Sequence, residues 1–193
     1  MARTKDFDET KVLDKAICLF WHKGYNGTSM QELVDNLGIS RSSLYDTYGD
    51  KHDLYIKALL HYQHSSGDEM SQIISNAKTA REAIKQLLEF VINNLMNDKQ
   101  RKGCFMVNAG VEVAPHDPEV MRIITQNEQA LEDQFLKTIE MGRARGDVSK
   151  KKDARALARF FGNTVKGIQV SAKSAKNKTA FADIIETSLS VLD

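Results

Sequence analysis

The sequence predicts an all-α protein of about nine helices. Apolar residues recur at helical spacing along most of the chain, Val/Ile/Thr runs with strand-like alternation are missing, and only 2 residues are Pro. With 193 residues, 41% of them hydrophobic, the chain can bury a substantial core. Its 27 Lys and Arg stand against 26 Asp and Glu, a net charge of +1, so any contact with a polyanion must be local rather than driven by a whole-protein field. Cys18 and Cys104 sit in unrelated contexts, which fits a reducing compartment rather than a disulfide frame. The opening MARTKDFDET is charged where a signal peptide would be apolar, and no apolar stretch reaches about 18 residues. A cytoplasmic protein without a membrane partner is expected.

The first helix is expected from Asp8 to Lys23, with Val12, Leu13, Ala16, Ile17 and Phe20 on its apolar face and Cys18 within that pattern as a core residue. Gly24 stops it. Thr28 and Ser29, followed three residues on by Gln31 and Glu32, make a capping-box arrangement, so a second helix starts there and buries Met30, Leu33, Val34 and Leu37. Gly38 supplies its left-handed end. Ser40 caps a short third helix, Arg41 to Tyr48, closed by Gly49, and Asp50 caps a fourth that runs through Leu54, Ile56, Leu59 and Leu60 into the polar stretch at Ser65 to Ser75.

The pattern resumes after Lys78, with Ile84, Leu87, Leu88, Val91, Ile92 and Leu95 on a largely enclosed fifth helix. A sixth, roughly Cys104 to Val113, is broken by Pro115. Asp117 followed by Pro118 then sets a cap and a first-turn Pro for a long seventh helix ending at Gly142 and Gly146. Residues 153–173 and 179–192 make the last pair, joined by a polar turn at 171–178.

Residues 28–48 place a capped helix, a turn at Leu37-Gly38-Ile39 and a short second helix within the dimensions of a helix-turn-helix. At 100° per residue, Leu44 and Tyr48 fall on one side of the second helix. Ser42, Ser43 and Asp46, flanked by Arg41 and Tyr45, fall on the other. Such a face suits a DNA groove, because Arg reaches guanine edges, Ser reads base or phosphate and a Tyr hydroxyl suits phosphate. Lys51, in the first turn of the fourth helix, opposes that helix's dipole, and an outside anion would explain it. Residues 1–57 carry eight basic and nine acidic side chains, so the cations must be focused on one surface.

Residues 20–55, FWHKGYNGTSMQELVDNLGISRSSLYDTYGDKHDLY, resemble the N-terminal domain of TetR-family transcriptional regulators. The shared pattern is an aromatic, Gly-Tyr, Thr-Ser, an apolar helix, Leu-Gly-Ile-Ser, a small pair, Leu-Tyr, an aromatic, and Lys before Leu. The resemblance implies two domains: a helix-turn-helix DNA-binding domain at 1–50, and a helical ligand-binding and dimerisation domain at 51–193. It implies that Thr28 or Ser29 binds phosphate, that Gln31 reaches a base, that Arg41, Ser42, Ser43 and the neighbouring Thr47 face the groove, and that Tyr45 and Lys51 hold phosphates. Two departures stand out. Asp46 occupies a position where many members have an aromatic or His, and there it either accepts from a cytosine amine or orients Arg41. Gly49-Asp50 replaces the commoner Pro-Ser. The function implied is a non-enzymatic, ligand-responsive regulator, a repressor released from a palindromic double-stranded operator by a small-molecule inducer. The partners are operator DNA, a second copy of the chain and an inducer that the sequence does not name.

In the second domain, Met96, Cys104, Phe105, Asn108, Glu112, Phe135, Phe161 and Gln169 are the candidate pocket residues, since apolar walls with a few polar groups describe a small-molecule site. Two apolar stripes, Leu157, Phe160, Phe161 and Ile168 with Ile184, Ile185 and Leu189, are expected at a dimer interface, where Gly162 and Gly167 would permit close backbone approach. An inducer bound between residues 84 and 170 is expected to act by shifting the helix that begins at Asp50. Cys104, beside Arg101 and Lys102 at a helix start, gives an alternative: a thiol that senses oxidants or electrophiles. His61 and His64 give a weaker one, a metal sensor or hydrolase. No nucleophile triad, Gly-rich phosphate loop or paired-Cys motif occurs, so neither a cofactor nor a catalytic function is expected.

Overall fold

A computed structural model describes residues 7–174 and 179–193. Among these the chain is helical throughout, in the order α1 Glu9–Lys23, α2 Met30–Leu37, α3 Arg41–Tyr48, α4 Lys51–Asn76, α5 Ala80–Asn97, α6 Phe105–Glu112, a 3₁₀ turn Ala114–His116, α7 Pro118–Arg145, α8 Ala154–Ser171 and α9 Thr179–Ser190. Positions 175–178 of the expected polar turn, and the first six residues, lie outside the described residues.

Local chemistry sets most boundaries. Asp8 accepts from the amides of Thr10 and Lys11 at the start of α1. Ser29 with Glu32 and Asp50 with Asp53 form reciprocal capping boxes for α2 and α4. Asp117 accepts from Glu119 and Val120, with Pro118 in the first turn of α7. The α2–α3 turn needs the left-handed conformation at Gly38, φ 71°. Gly49, at φ 84°, leaves room for the Asp53 carboxylate that a Cβ would strike.

Two apolar cores follow from this helix order. The first joins Val12, Ala16, Ile17, Phe20, Leu33, Leu37 and Leu44 to Leu54, Tyr55 and Leu59 of α4, and continues through Phe105, Met106 and Ala109 of α6 to Val120, Ile123 and Ile124 of α7. The second joins α5, the latter part of α7, α8 and α9. Packing therefore runs across the domain division expected at residue 50. The first half of α4 packs with α1–α3, and α6 and the start of α7 pack on the same core. At 26 residues, α4 spans about 39 Å and touches both cores. Cys18, expected in the core, is exposed, because the α1 face that packs inward is set by Val12, Ala16, Ile17 and Phe20. No helix among the described residues is long and apolar enough to cross a membrane.

Candidate nucleic-acid interface and cavity

Helix α3 is fixed from three directions. Leu44 and Tyr48 are buried on its inner side, with Ile39 leading in. The Tyr48 hydroxyl donates to the carbonyl of Glu9 at 3.0 Å, and burial pushes that phenol up to about 12. At the C-terminal end, the Lys57 ammonium donates to the Tyr48 carbonyl at 2.8 Å, a cation where the helix dipole favours one. Ser40 closes the other end: its hydroxyl accepts from the Ser43 amide and lies 2.9 Å from the hydroxyls of both Ser42 and Ser43.

What remains outward on α3 is Arg41, Ser42, Tyr45 and Asp46, with Ser43 and Thr47 half-buried. Tyr45 is 46% exposed, high for a large aromatic side chain with no aromatic neighbour within the chain among the described residues. Among the described residues Asp46, exposed beside Tyr45, forms no ion pair with Arg41.

At the start of α2 the expected residues divide. Thr28 is buried, and its hydroxyl donates inward to the Gly24 carbonyl at 2.7 Å, so it closes the α1–α2 turn rather than facing outward. Ser29 is the exposed residue of the pair. Its amide and hydroxyl both donate to Glu32 at 3.0 Å. Glu32 also pairs with Lys23, and that ammonium, followed by the Ser29 amide, holds its carboxyl at about 2. An incoming phosphate must therefore displace or share the Ser29 donors. Gln31 donates to Asp35 at 2.9 Å and stays exposed. The Lys51 ammonium stands 4.3 Å from the ring centroid of Tyr25, where burial lowers its pKa and the Glu112 charge opposes that effect.

Behind this unit lies an open cavity of about 1670 Å³ between α4, α5, α6, α7 and α8. Its apolar wall includes Tyr62, Phe90, Met106, Leu131 and Val165, and Trp21 brings α1 to its edge. Of the eight pocket residues expected, Cys104 and Gln169 line it. The other six do not. Phe105 is buried in the first core among the rings of Trp21, Tyr55 and Tyr62. Phe135 and Phe161 stack on each other, 5.6 Å between centroids, in the second. Met96 packs against that same core. Asn108 donates to the Lys102 carbonyl and accepts from the Lys173 ammonium. Glu112 points away from the cavity and accepts from the backbone amides of Tyr25 and Asn26 at 3.1 and 2.8 Å.

Cys104 is buried, and burial pushes its thiol up from the ordinary value. His61 and His64 take separate acidic partners, Asp14 at 3.1 Å and Asp68 at 3.4 Å. The expected dimer stripes also divide. Leu157, Phe161, Ile168 and Leu189 are buried within the subunit, and Ile185 packs partly on the same core, while Phe160 (41% exposed) and Ile184 (37%) face outward. Among the described residues, no neighbour lies near the place a Cβ would occupy on Gly162 or Gly167. The sequence assigns no role to Lys57 or Trp21, and to Asp117 only helix capping: Trp21 and Asp117 take partners far along the chain, and Lys57 reaches back across a helix boundary to Tyr48.

Comparison with known proteins places these features in a family. Residues 12–58 match the family described as bacterial regulatory proteins, tetR family, and residues 79–187 match the tetracyclin repressor-like C-terminal domain. An uncharacterized HTH-type transcriptional regulator of Bacillus subtilis, YezE, is 34% identical over 194 residues, covering 100% of both chains. The Escherichia coli HTH-type transcriptional repressor ComR is 26% identical, over 97% of this chain and 90% of that protein. Among solved structures, a cysteine mutant of the regulator CifR complexed with a 26-bp double-strand operator DNA superposes with a TM-score of 0.89 at 27% identity, covering 99% of this chain and 100% of that one.

Proposed function

The chain belongs to the TetR family and is a DNA-binding transcriptional regulator, and from that premise we propose that it is a cytoplasmic homodimeric repressor that leaves its operator when a small molecule occupies the cavity. Each subunit lays α3 in the major groove of one half-site, so a two-fold protein reads a near-palindromic duplex. The observation that carries this reading is the outward face of α3. Arg41, Tyr45 and Asp46 are exposed and held by no partner among the described residues, on a helix whose every other side is fastened. Arg41 is the base-reading residue, Tyr45 and Lys51 hold phosphates, and Ser29 offers its hydroxyl at the start of α2.

The cavity supports reversible, non-covalent occupancy. Its wall combines apolar Phe90, Met106, Leu131 and Val165 with polar Asn163 and Gln169 and charged Glu128 and Lys166, and a ligand acts only by preferring the form that does not bind DNA. Thiol chemistry at Cys104 fits less well, since a buried thiol with a raised pKa holds little thiolate. The test is selection of bound duplexes from a random-sequence library, followed by mobility-shift titration. Recovery of a near-palindromic site, with binding weakened by Tyr45→Ala and Lys51→Ala to a similar degree on all sequences, supports the reading. Parental binding by both variants overturns it.

A further inference from the structure

Helix α6 is a partition one helix thick. Met106, Val107, Gly110 and Val111 line the cavity, while Phe105 and Ala109 are packed into the first core, beneath α1 and α4. At its C-terminal end, Glu112 reaches the α1–α2 turn, 86 and 87 residues earlier in the chain, and its two carboxylate oxygens accept from the amides of Asn26 and Tyr25. Neither amide has a backbone acceptor among the described residues, so Glu112 supplies the partner that a backbone donor in a turn requires. The turn is shaped to receive it: Gly24 sits at φ 80°, and a Cβ there would lie 2.7 Å from Glu112 Oε2.

What this turn holds is the DNA-facing apparatus. Two residues past Asn26, the buried Thr28 hydroxyl closes the turn on the Gly24 carbonyl, and Ser29 then caps α2. The Tyr25 ring packs 4.8 Å from that of Tyr55 and carries the Lys51 ammonium on its face. One carboxylate from the cavity side thus fixes both the start of α2 and the platform under Lys51.

We infer that Glu112 is a positioning residue for DNA recognition, and that displacement of α6 by an occupant of the cavity is transmitted by withdrawing its carboxylate from the Tyr25 and Asn26 amides. This rests on the reading of Lys51 and α3 as the DNA face. Glu112→Ala then reproduces the released state with the cavity empty, while Glu112→Gln, which keeps an acceptor oxygen, restores part of the binding.

The experiment uses the full-length parent, Glu112→Ala, Glu112→Gln and Lys51→Ala, titrated over a range of salt with a duplex selected by the parent. Amide exchange of the free proteins is followed alongside. Glu112→Ala is expected to weaken binding by roughly tenfold or more, the scale of losing a charge-assisted hydrogen-bond pair. It also lowers the slope of log K against log salt by about one, the signature of a lost phosphate contact at Lys51. Exchange quickens at Tyr25 and Asn26 and stays parental in α5, α8 and α9. If Glu112→Ala does not fold, the same shifts, smaller in size, are read from Glu112→Gln. A folded Glu112→Ala within twofold of parental affinity and with the parental slope overturns the proposal; the DNA-face reading survives if Lys51→Ala alone loses affinity and slope. Parental behaviour by both variants removes the DNA-face reading and the proposal together.

Discussion

The imidazole Nε2 of His52, in the first turn of α4, lies 2.6 Å from Oδ2 of Asp117, the residue that caps α7. The pair joins the helix that follows the DNA-reading unit to the helix that forms one wall of the cavity. Asp117 also accepts from the Glu119 and Val120 amides, so one side chain both starts α7 and anchors α4.

That double role has a pH consequence. Burial pushes the Asp117 carboxyl up, but the Val120 amide and the His52 imidazole outweigh it and hold the carboxyl below the ordinary value. A depressed folded pKa stabilises the protein above the unfolded value of about 3.9, and that contribution is lost as pH falls through the lower folded value. Thermal unfolding between pH 6 and 2 is expected to show an acid limb that Asp117→Asn flattens, since Asn still caps but carries no charge. An unchanged limb in that variant would assign the acid sensitivity to other carboxylates, Glu32 first among them.

Arg41 is exposed at the first turn of α3, and the proposed function makes it the reader of a base edge. Arg41→Ala should relax sequence preference at one position of each half-site, at a cost of about 1–3 kcal/mol on the preferred duplex and little on others. Selection from a random library with the variant measures this. A uniform loss on every sequence would make Arg41 a phosphate contact instead.

Phe160 and Phe161 are adjacent and their rings meet edge to face, yet Phe160 is exposed while Phe161 is buried against Phe135. Phe160→Asp or Ile184→Asp is expected to give a folded monomer by sedimentation, with operator binding lost. Phe161→Asp is expected to unfold the subunit, because an unpaired charge would enter a closed core. A dimer that survives both outward charges would move the interface off α8 and α9.

The two thiols should separate by rate. Cys18 is exposed and Cys104 buried with a raised pKa, so a thiol-reactive chromophore is expected to label Cys18 quickly and Cys104 only on unfolding. Cys104→Ser should bind and release the operator as the parent does. Rapid labelling of Cys104 in the native protein, accompanied by loss of DNA binding, would restore the thiol-sensing alternative.

Helix order, caps and the helix-turn-helix were legible in the sequence because they are local physics. A Ser or Asp caps amides two or three residues away, a glycine ends a helix at the next residue, and apolar spacing marks a helical face without reference to the rest of the chain. Ser29 with Glu32, Ser40 with Ser43 and Asp117 with Val120 all stand at such separations. The tertiary structure decided what the second half of the chain does with its polar and aromatic residues. Glu112 read as a polar exception on an apolar helix, which fits a pocket anchor or a distant partner equally well, and only packing brings it to Tyr25. Phe160 and Phe161 are the same residue type in one apolar stripe, and Cys18 lies in another. A helix turns 100° per residue, so which of two neighbours is core depends on the neighbouring helices and not on the stripe itself.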